Sequence, residues 1–109
     1  MVDRVNIQSF IYTRNPKTNF LLLKRTSEKG GFWQPVSGGI KKGEQPTHAV
    51  KREIFEETGI KEIVGITDLQ FSYTFKAAKD NMKMKMKDIC YGVQVSNIKP
   101  VSLSLEHSM

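Results

Sequence analysis

Apolar and polar positions alternate along most of this chain, and one stretch in the middle abandons the alternation for a helical period. Val5 to Tyr12 has strand character. The cluster Asn15-Pro16-Lys17-Thr18-Asn19 is a turn, which returns the chain into Phe20 to Arg25 and predicts a hairpin. Thr26 to Gly31 is polar and ends in glycine, a loop that leads through Phe32-Trp33-Gln34-Pro35-Val36 to a glycine turn. Pro46 suits the first position of a helix that runs to Thr58, with Gly59 as its cap. Val50 and Ile54 lie on one flank of that helix and Phe55 nearly opposite, which predicts packing between layers. Phe71 to Phe75 alternates as a strand, Ala77 to Asn81 is a loop, and Met82 through Val95 is extended. The whole reads as strands around one or two helices.

Within the last of these segments, Met82, Met84 and Met86 alternate strictly with Lys83, Lys85 and Lys87. In a strand the methionines face inward and the lysines outward. The apolar parity then passes to Ile89, Tyr91, Val93 and Val95, which predicts a bulge or turn near Lys87-Asp88. The lysine row has two readings, a grip on polyphosphate or RNA and a solvated strand face that discourages edge pairing. The second is the better supported by pattern alone.

Composition narrows the class. A chain of 109 residues, 39% apolar and 26% charged, suits one modest core, so residues 1–109 are expected to form a single domain. No run of about 18 apolar residues exists, and the N-terminus lacks the layout of a secretory signal, so no membrane partner and a cytoplasmic location are expected. Cys90 is the single cysteine; it sits in the apolar segment ICYGVQV as a small buried thiol rather than a nucleophile. The formal charge of +6 favours anionic partners, either phosphorylated metabolites or nucleic acid.

The helix carries the candidate chemistry. At about 100° of rotation per residue, Arg52, Glu56, Glu53 and Glu57 fan out in that order within an arc of roughly 140°. Like charges three and four apart cost a helix a few tenths of a kcal/mol per pair, a cost that a divalent cation reverses. Hard oxygen ligands of this kind suit Mg2+ or Mn2+. From the three carboxylates alone, a solvated acidic stripe is still the simpler reading. His48 falls in the first turns of the same helix without a second zinc-type ligand at suitable spacing, and reads as surface.

The register of the surrounding residues changes that balance. From Gly38, five residues lead to Glu44, seven more to Arg52-Glu53, then Ile54, any residue, Glu56-Glu57, any residue, Gly59 and Ile60. This resembles the signature of the Nudix hydrolases, Gx5Ex7REUxEExGU with U aliphatic, at every specified position. A chance match in a chain this short is on the order of one in ten million. The resemblance implies an α/β/α sandwich on a mixed β-sheet and metal-dependent hydrolysis of a nucleoside diphosphate linked to another moiety. It makes Glu53, Glu56 and Glu57 the implied ligands of Mg2+, with Mn2+ as a substitute, and adds the backbone carbonyl of Ser37 or Gly38. Arg52 then orients the carboxylates through an ion pair, and Glu44 serves either a water-mediated metal contact or a pairing with Arg52. The general base is Glu53 itself or a carboxylate from a later loop.

Outside the signature the resemblance is thinner. The tail LSLEHSM is similar to a Glu-His step that in many Nudix proteins precedes a further strand and a C-terminal helix, so Glu106 is a candidate catalytic group and equally an ordinary terminal glutamate. The sequence stops before that strand and helix; if nothing follows Met109, a shortened sandwich is expected that either needs a partner surface, a second copy in a homodimer included, or is partly deficient. The run from Phe32 to Gly38 is similar to the entry segment of dihydroneopterin triphosphate pyrophosphatases, while Trp33-Gln34 with the later glycines also resembles dinucleoside polyphosphate and RNA 5′-pyrophosphate hydrolases. Trp33 either stacks on a flat ring or packs locally; Arg25 is a candidate phosphate contact, and Gly38 and Gly39 let the backbone approach phosphates. Three classes follow: a polyphosphate hydrolase, a nucleotide-binding module that does not cleave, and an RNA-directed protein.

Overall fold

The computed structural model describes residues 2–14, 18–25, 33–79, 81–96 and 107–108. In chain order the elements are β1 (Arg4–Thr13), β2 (Asn19–Leu21), β3 (Leu23–Arg25), β4 (Trp33–Gln34), β5 (Val36–Gly39), α1 (Pro46–Thr58), β6 (Ile63–Lys79), β7 (Met82–Val95) and β8 (His107–Ser108). The larger sheet runs β2-β1-β7-β6, with β5 also paired to β1. It is mixed: β1 lies parallel to β7, and the other pairings are antiparallel. A smaller sheet joins β3 to β4 and β8.

The hairpin expected between the first two strand segments is present, with Ile11 opposite Leu21 and Thr13 opposite Asn19, but the segment expected to run unbroken from Phe20 to Arg25 is split, and Leu23–Arg25 pairs with β4 and β8 instead. The loop expected from Thr26 to Gly31 lies outside the described residues, as does Phe32. The helix has the expected bounds. Pro46 occupies its first turn, and Gly59 adopts the left-handed conformation, φ 78°, from which its N–H bonds the Phe55 carbonyl. A side chain at position 59 would be strained there.

Ile7 and Ile11 of β1 and Tyr91, Val93 and Val95 of β7 point to one side of the sheet, where Ala49, Val50 and Ile54 of α1 close the core. Phe55 departs from the packing expected of it. It is 49% exposed, with the Lys61 Nζ 5.5 Å from its ring centroid, so α1 is packed on one side among the described residues.

Two further expectations are corrected. Ala77 to Lys79 are not loop but the end of β6, because β7 pairs with them residue for residue as far as Lys79 opposite Met82; Asn81, at φ 65°, makes the turn. The irregularity expected at Lys87-Asp88 sits instead on β6 between Asp68 and Ser72, where Gln70 takes φ 54° and its N–H bonds the Asp68 Oδ1 at 2.7 Å. β7 itself stays in register. Its apolar parity changes because different faces are covered along its length: Met86, Asp88 and Cys90 are buried on one face, Tyr91, Val93 and Val95 on the other.

Candidate active site

The start of β1 fixes the position of the glycine turn. Asn6 lies opposite Gly39 and Ile7 opposite Gly38, so the two glycines look to opposite faces of the sheet. Gly38 looks toward α1. A Cβ there would run into the Glu53 carboxylate, so the absence of a side chain is what lets that carboxylate lie on the strand. Gly39 looks away from the helix, and a Cβ there would come within 2.5 Å of Arg4 Nη2. Each glycine makes room for a charged group.

Arg52 binds these parts together. Its Nε donates to Glu44 Oε2 at 2.8 Å and its Nη2 to Glu44 Oε1 at 2.9 Å, while Nη2 also donates to the Gly39 carbonyl at 3.0 Å. Nη1 donates to Glu53 Oε1 at 2.7 Å and lies 3.5 Å from Glu56 Oε1. Glu44 in turn accepts the Lys41 backbone N–H at 3.0 Å and touches His48 Nδ1 at 2.8 Å. Of the two roles open to Glu44, the geometry has the pairing with Arg52, since both of its oxygens are occupied. His48 is on the surface, as expected, yet serves as a contact of Glu44.

The electrostatics follow from these bonds. The Arg52 guanidinium, with the Lys41 N–H and His48, holds the Glu44 carboxyl far below the usual carboxylate range. Glu44 raises Arg52 further above its ordinary value. Glu53 moves the other way: burial pushes it up, and Arg52 only partly offsets that.

The three helix carboxylates sit at graded depths. Glu57 is buried, Glu53 is mostly covered and Glu56 is exposed. Among the described residues no three His, Cys, Asp or Glu side chains converge as they stand on a point where a metal could be held. The chemistry of the set nevertheless fits Mg2+: the donors are hard oxygens, Glu53 lies against the bare Cα of Gly38, and the exposed Glu56 has room to move.

The remaining candidates are dispersed. Trp33, 52% exposed, belongs to the smaller sheet opposite Lys24. Arg25 ends β3 opposite His107, and its side chain lies outside the described residues; Glu106 lies outside them entirely.

Sequence reasoning missed a polar cluster on the face away from α1. Asp88, buried, accepts Asn6 Nδ2 at 2.9 Å, Gln8 Nε2 at 2.7 Å and the Tyr73 hydroxyl at 3.2 Å. Burial, then Asp88, pushes the Tyr73 phenol up. Beside it a groove of about 320 Å³ is lined by Gln8, Phe10, Leu69, Phe71, Tyr73 and Cys90. Cys90 is a buried thiol raised by burial, as its setting suggested. Arg4, whose Nε donates to Asn6 Oδ1 at 3.0 Å, borders the same face. The available signal was the polar parity of Arg4, Asn6 and Gln8 against buried Ile7, Ser9 and Ile11.

Comparison with known proteins agrees with this architecture. The NUDIX domain model matches residues 6–102. An octanoyltransferase from Myxococcus xanthus is 34% identical over 94 residues, which cover 86% of this chain and 26% of that protein. An RNA pyrophosphohydrolase from Blochmanniella pennsylvanica is 36% identical over 62 residues, covering 55% of this chain and 39% of that protein. The chain therefore spans well under half the length of either relative. Among solved structures, the dihydroneopterin triphosphate pyrophosphohydrolase of E. coli superposes with a TM-score of 0.77 at 22% identity, covering 100% of this chain and 80% of that one. The shared fold is the mixed sheet with its helix.

Proposed function

Because this chain belongs to the Nudix family, we propose that it hydrolyses a phosphoanhydride bond in a nucleoside or pterin polyphosphate with the help of Mg2+. The observation that carries this reading is the Arg52 bridge, which ties Glu44, Glu53 and the Gly39 carbonyl into one unit at the glycine turn. Glu53, Glu56 and Glu57 would hold the metal, with the Gly38 carbonyl beside them. Bound there, Mg2+ supplies charge neutralisation of the polyphosphate and a lowered pKa for a coordinated water.

The protein's own groups do the rest. Arg52 fixes Glu53 through Oε1, which leaves Oε2 to accept a proton from the attacking water. Gly38 seats the Glu53 carboxylate on the helix side of β5 and Gly39 seats the Arg4 guanidinium on the groove side, so the phosphates would lie beside this strand between a metal ligand and a cation. The groove lined by Phe71, Tyr73 and Gln8 then takes the flat ring. Names of relatives support the substrate class: one is an RNA pyrophosphohydrolase, and the superposed structure is a pterin triphosphate enzyme.

The experiment is turnover of a panel comprising nucleotides, dinucleoside polyphosphates, triphosphorylated RNA and dihydroneopterin triphosphate, with Mg2+, with Mn2+ and with a chelator. Release of phosphate or pyrophosphate that stops on chelation and in Glu53→Gln supports the proposal. No turnover of any substrate, or an unaltered Glu53→Gln, removes it. Tight binding without turnover would assign a nucleotide-binding module instead.

A further inference from the structure

The β6–β7 hairpin carries four lysines on one face. Lys76 is directly opposite Lys85, Thr74 opposite Lys87 and Ala78 opposite Lys83. Cross-strand partners share a face, and alternate residues of a strand do too, so Lys76, Lys83, Lys85 and Lys87 all project to the same side. Val5, beside Lys87 in the parallel pairing, has the parity of buried Ile7 and Ile11, which identifies that side as the one covered by α1. The core ends at Ile89, and the lysines continue beyond it toward the hairpin tip. Successive lysines on β7 stand about 6.8 Å apart.

Edge protection explains part of this face, since Lys76 lies on the edge strand β6 and Lys83 and Lys85 lie beyond Met86, where β1 no longer pairs with β7. Lys87, beside Val5, is inside the sheet. Lys76 opposite Lys85 is an unfavourable like-charge pair at a position where a carboxylate would serve solubility as well. No ion pair forms on any of the four among the described residues. Asp3, an acid beside Lys85, has its Oδ2 occupied by the Lys85 backbone N–H at 2.8 Å. Opposite Lys83 and Lys87 stand the small Ala78 and Thr74; Lys76, Lys83 and Lys85 are exposed and Lys87 is half-buried.

We propose that this row is a docking track for the phosphodiester backbone of single-stranded RNA, separate from the hydrolytic site. Three evenly spaced point charges in line on β7, with Lys76 beside the middle one, match a linear polyanion, whereas a bilayer would call for a broad basic face with apolar groups beside the charges. The exposed apolar residues nearest the lysines, Phe71, Tyr73, Phe75 and Met82, have the parity of Asp88 and Met86 and so occupy the opposite face. A chain held by the lysines would be retained near the glycine turn whatever its sequence.

The test is fluorescence anisotropy with a single-stranded oligoribonucleotide bearing a 5′-hydroxyl end, which offers no anhydride to the hydrolytic site. Four phosphate contacts give a slope of log K against log salt of about −3 between about 50 and about 200 mM. In the quadruple variant K76Q/K83Q/K85Q/K87Q the slope should fall toward zero and affinity should drop at least tenfold, while thermal unfolding and turnover of a small polyphosphate stay as in the parent. Absence of RNA binding by the parent overturns the proposal, as does a quadruple variant that keeps the slope. Lysine-dependent binding of phosphatidylserine vesicles in place of RNA overturns it too. RNA binding by a parent protein that hydrolyses nothing would remove the hydrolase reading and leave this one standing.

Discussion

Arg52 and Glu44 meet in two parallel hydrogen bonds, Nε to Oε2 at 2.8 Å and Nη2 to Oε1 at 2.9 Å, although eight positions separate them and Glu44 precedes the helix. The fork geometry fixes the guanidinium plane, and that plane in turn aims Nη1 at Glu53. Glu44 thus acts on the chemistry through Arg52. Glu44→Gln keeps one acceptor oxygen and loses the charge, so Arg52 is held less firmly and Glu53 wanders. The expected result is a turnover loss of roughly 10- to 100-fold with a raised Mg2+ requirement, the usual size for removing a partner of a metal ligand. A Mg2+ titration of both proteins checks it; an unchanged midpoint would show that Arg52 does not depend on Glu44.

The same pair makes stability depend on pH in a definite direction. Arg52, the Lys41 N–H and His48 face the Glu44 carboxylate and hold its folded pKa far below the unfolded value of about 4.3. A lowered carboxylate binds its proton more weakly when folded, so its contribution is complete above the unfolded pKa and is lost as pH falls below it. Urea midpoints of the parent and Glu44→Gln should therefore differ most near neutrality and converge as pH is lowered from about 5 toward 3. A gap that is constant across this range contradicts the assignment.

Gly38→Ala separates folding from function. The new Cβ meets the end of the Glu53 side chain, which is flexible and can swing aside, and the backbone at Gly38 is not left-handed. Stability should change by less than about 1 kcal/mol. Displacing Glu53 from its Arg52 bond should nevertheless lower turnover at least tenfold. A thermal melt paired with a kinetic assay decides this, and a variant that melts and turns over like the parent would show that Glu53 need not rest on the strand.

Local signals made the helix and first hairpin legible in the sequence. Pro46, Gly59 and the apolar positions at Val50 and Ile54 each act within a turn or two of themselves, as does the turn after Thr13. β6 was largely hidden because Gly65, Asp68 and Gln70 break its alternation, and the bulge at Gln70 is stable only with β7 alongside. The signature gave the residues around Arg52 but not their depths, since Glu57 and Glu56 differ by where the sheet lies beneath the helix. The Asp88 cluster joins positions some 80 residues apart through the parallel pairing of β1 with β7, a relationship with no local trace.

That cluster supports the last prediction. Asp88→Ala removes the acceptor for the Asn6 and Gln8 amides and the Tyr73 hydroxyl at once. Gln8 keeps its 2.7 Å bond to Tyr73, and Tyr73 is partly exposed, so the donor that loses most in the covered part of the site is Asn6, left with only the weak Met86 Sδ acceptor at 3.9 Å. The loss should be about 1–3 kcal/mol, the range for stranding a buried polar partner. Because Gln8 and Tyr73 also line the groove, their disorder should weaken ring binding and raise KM, leaving kcat near the parent value because the Arg52 bridge lies at the glycine turn. Urea unfolding with steady-state kinetics on one ring-bearing polyphosphate measures both. A fall in kcat at unchanged KM would mean that Asp88 acts on the bond-breaking step and that the groove is not where the ring rests.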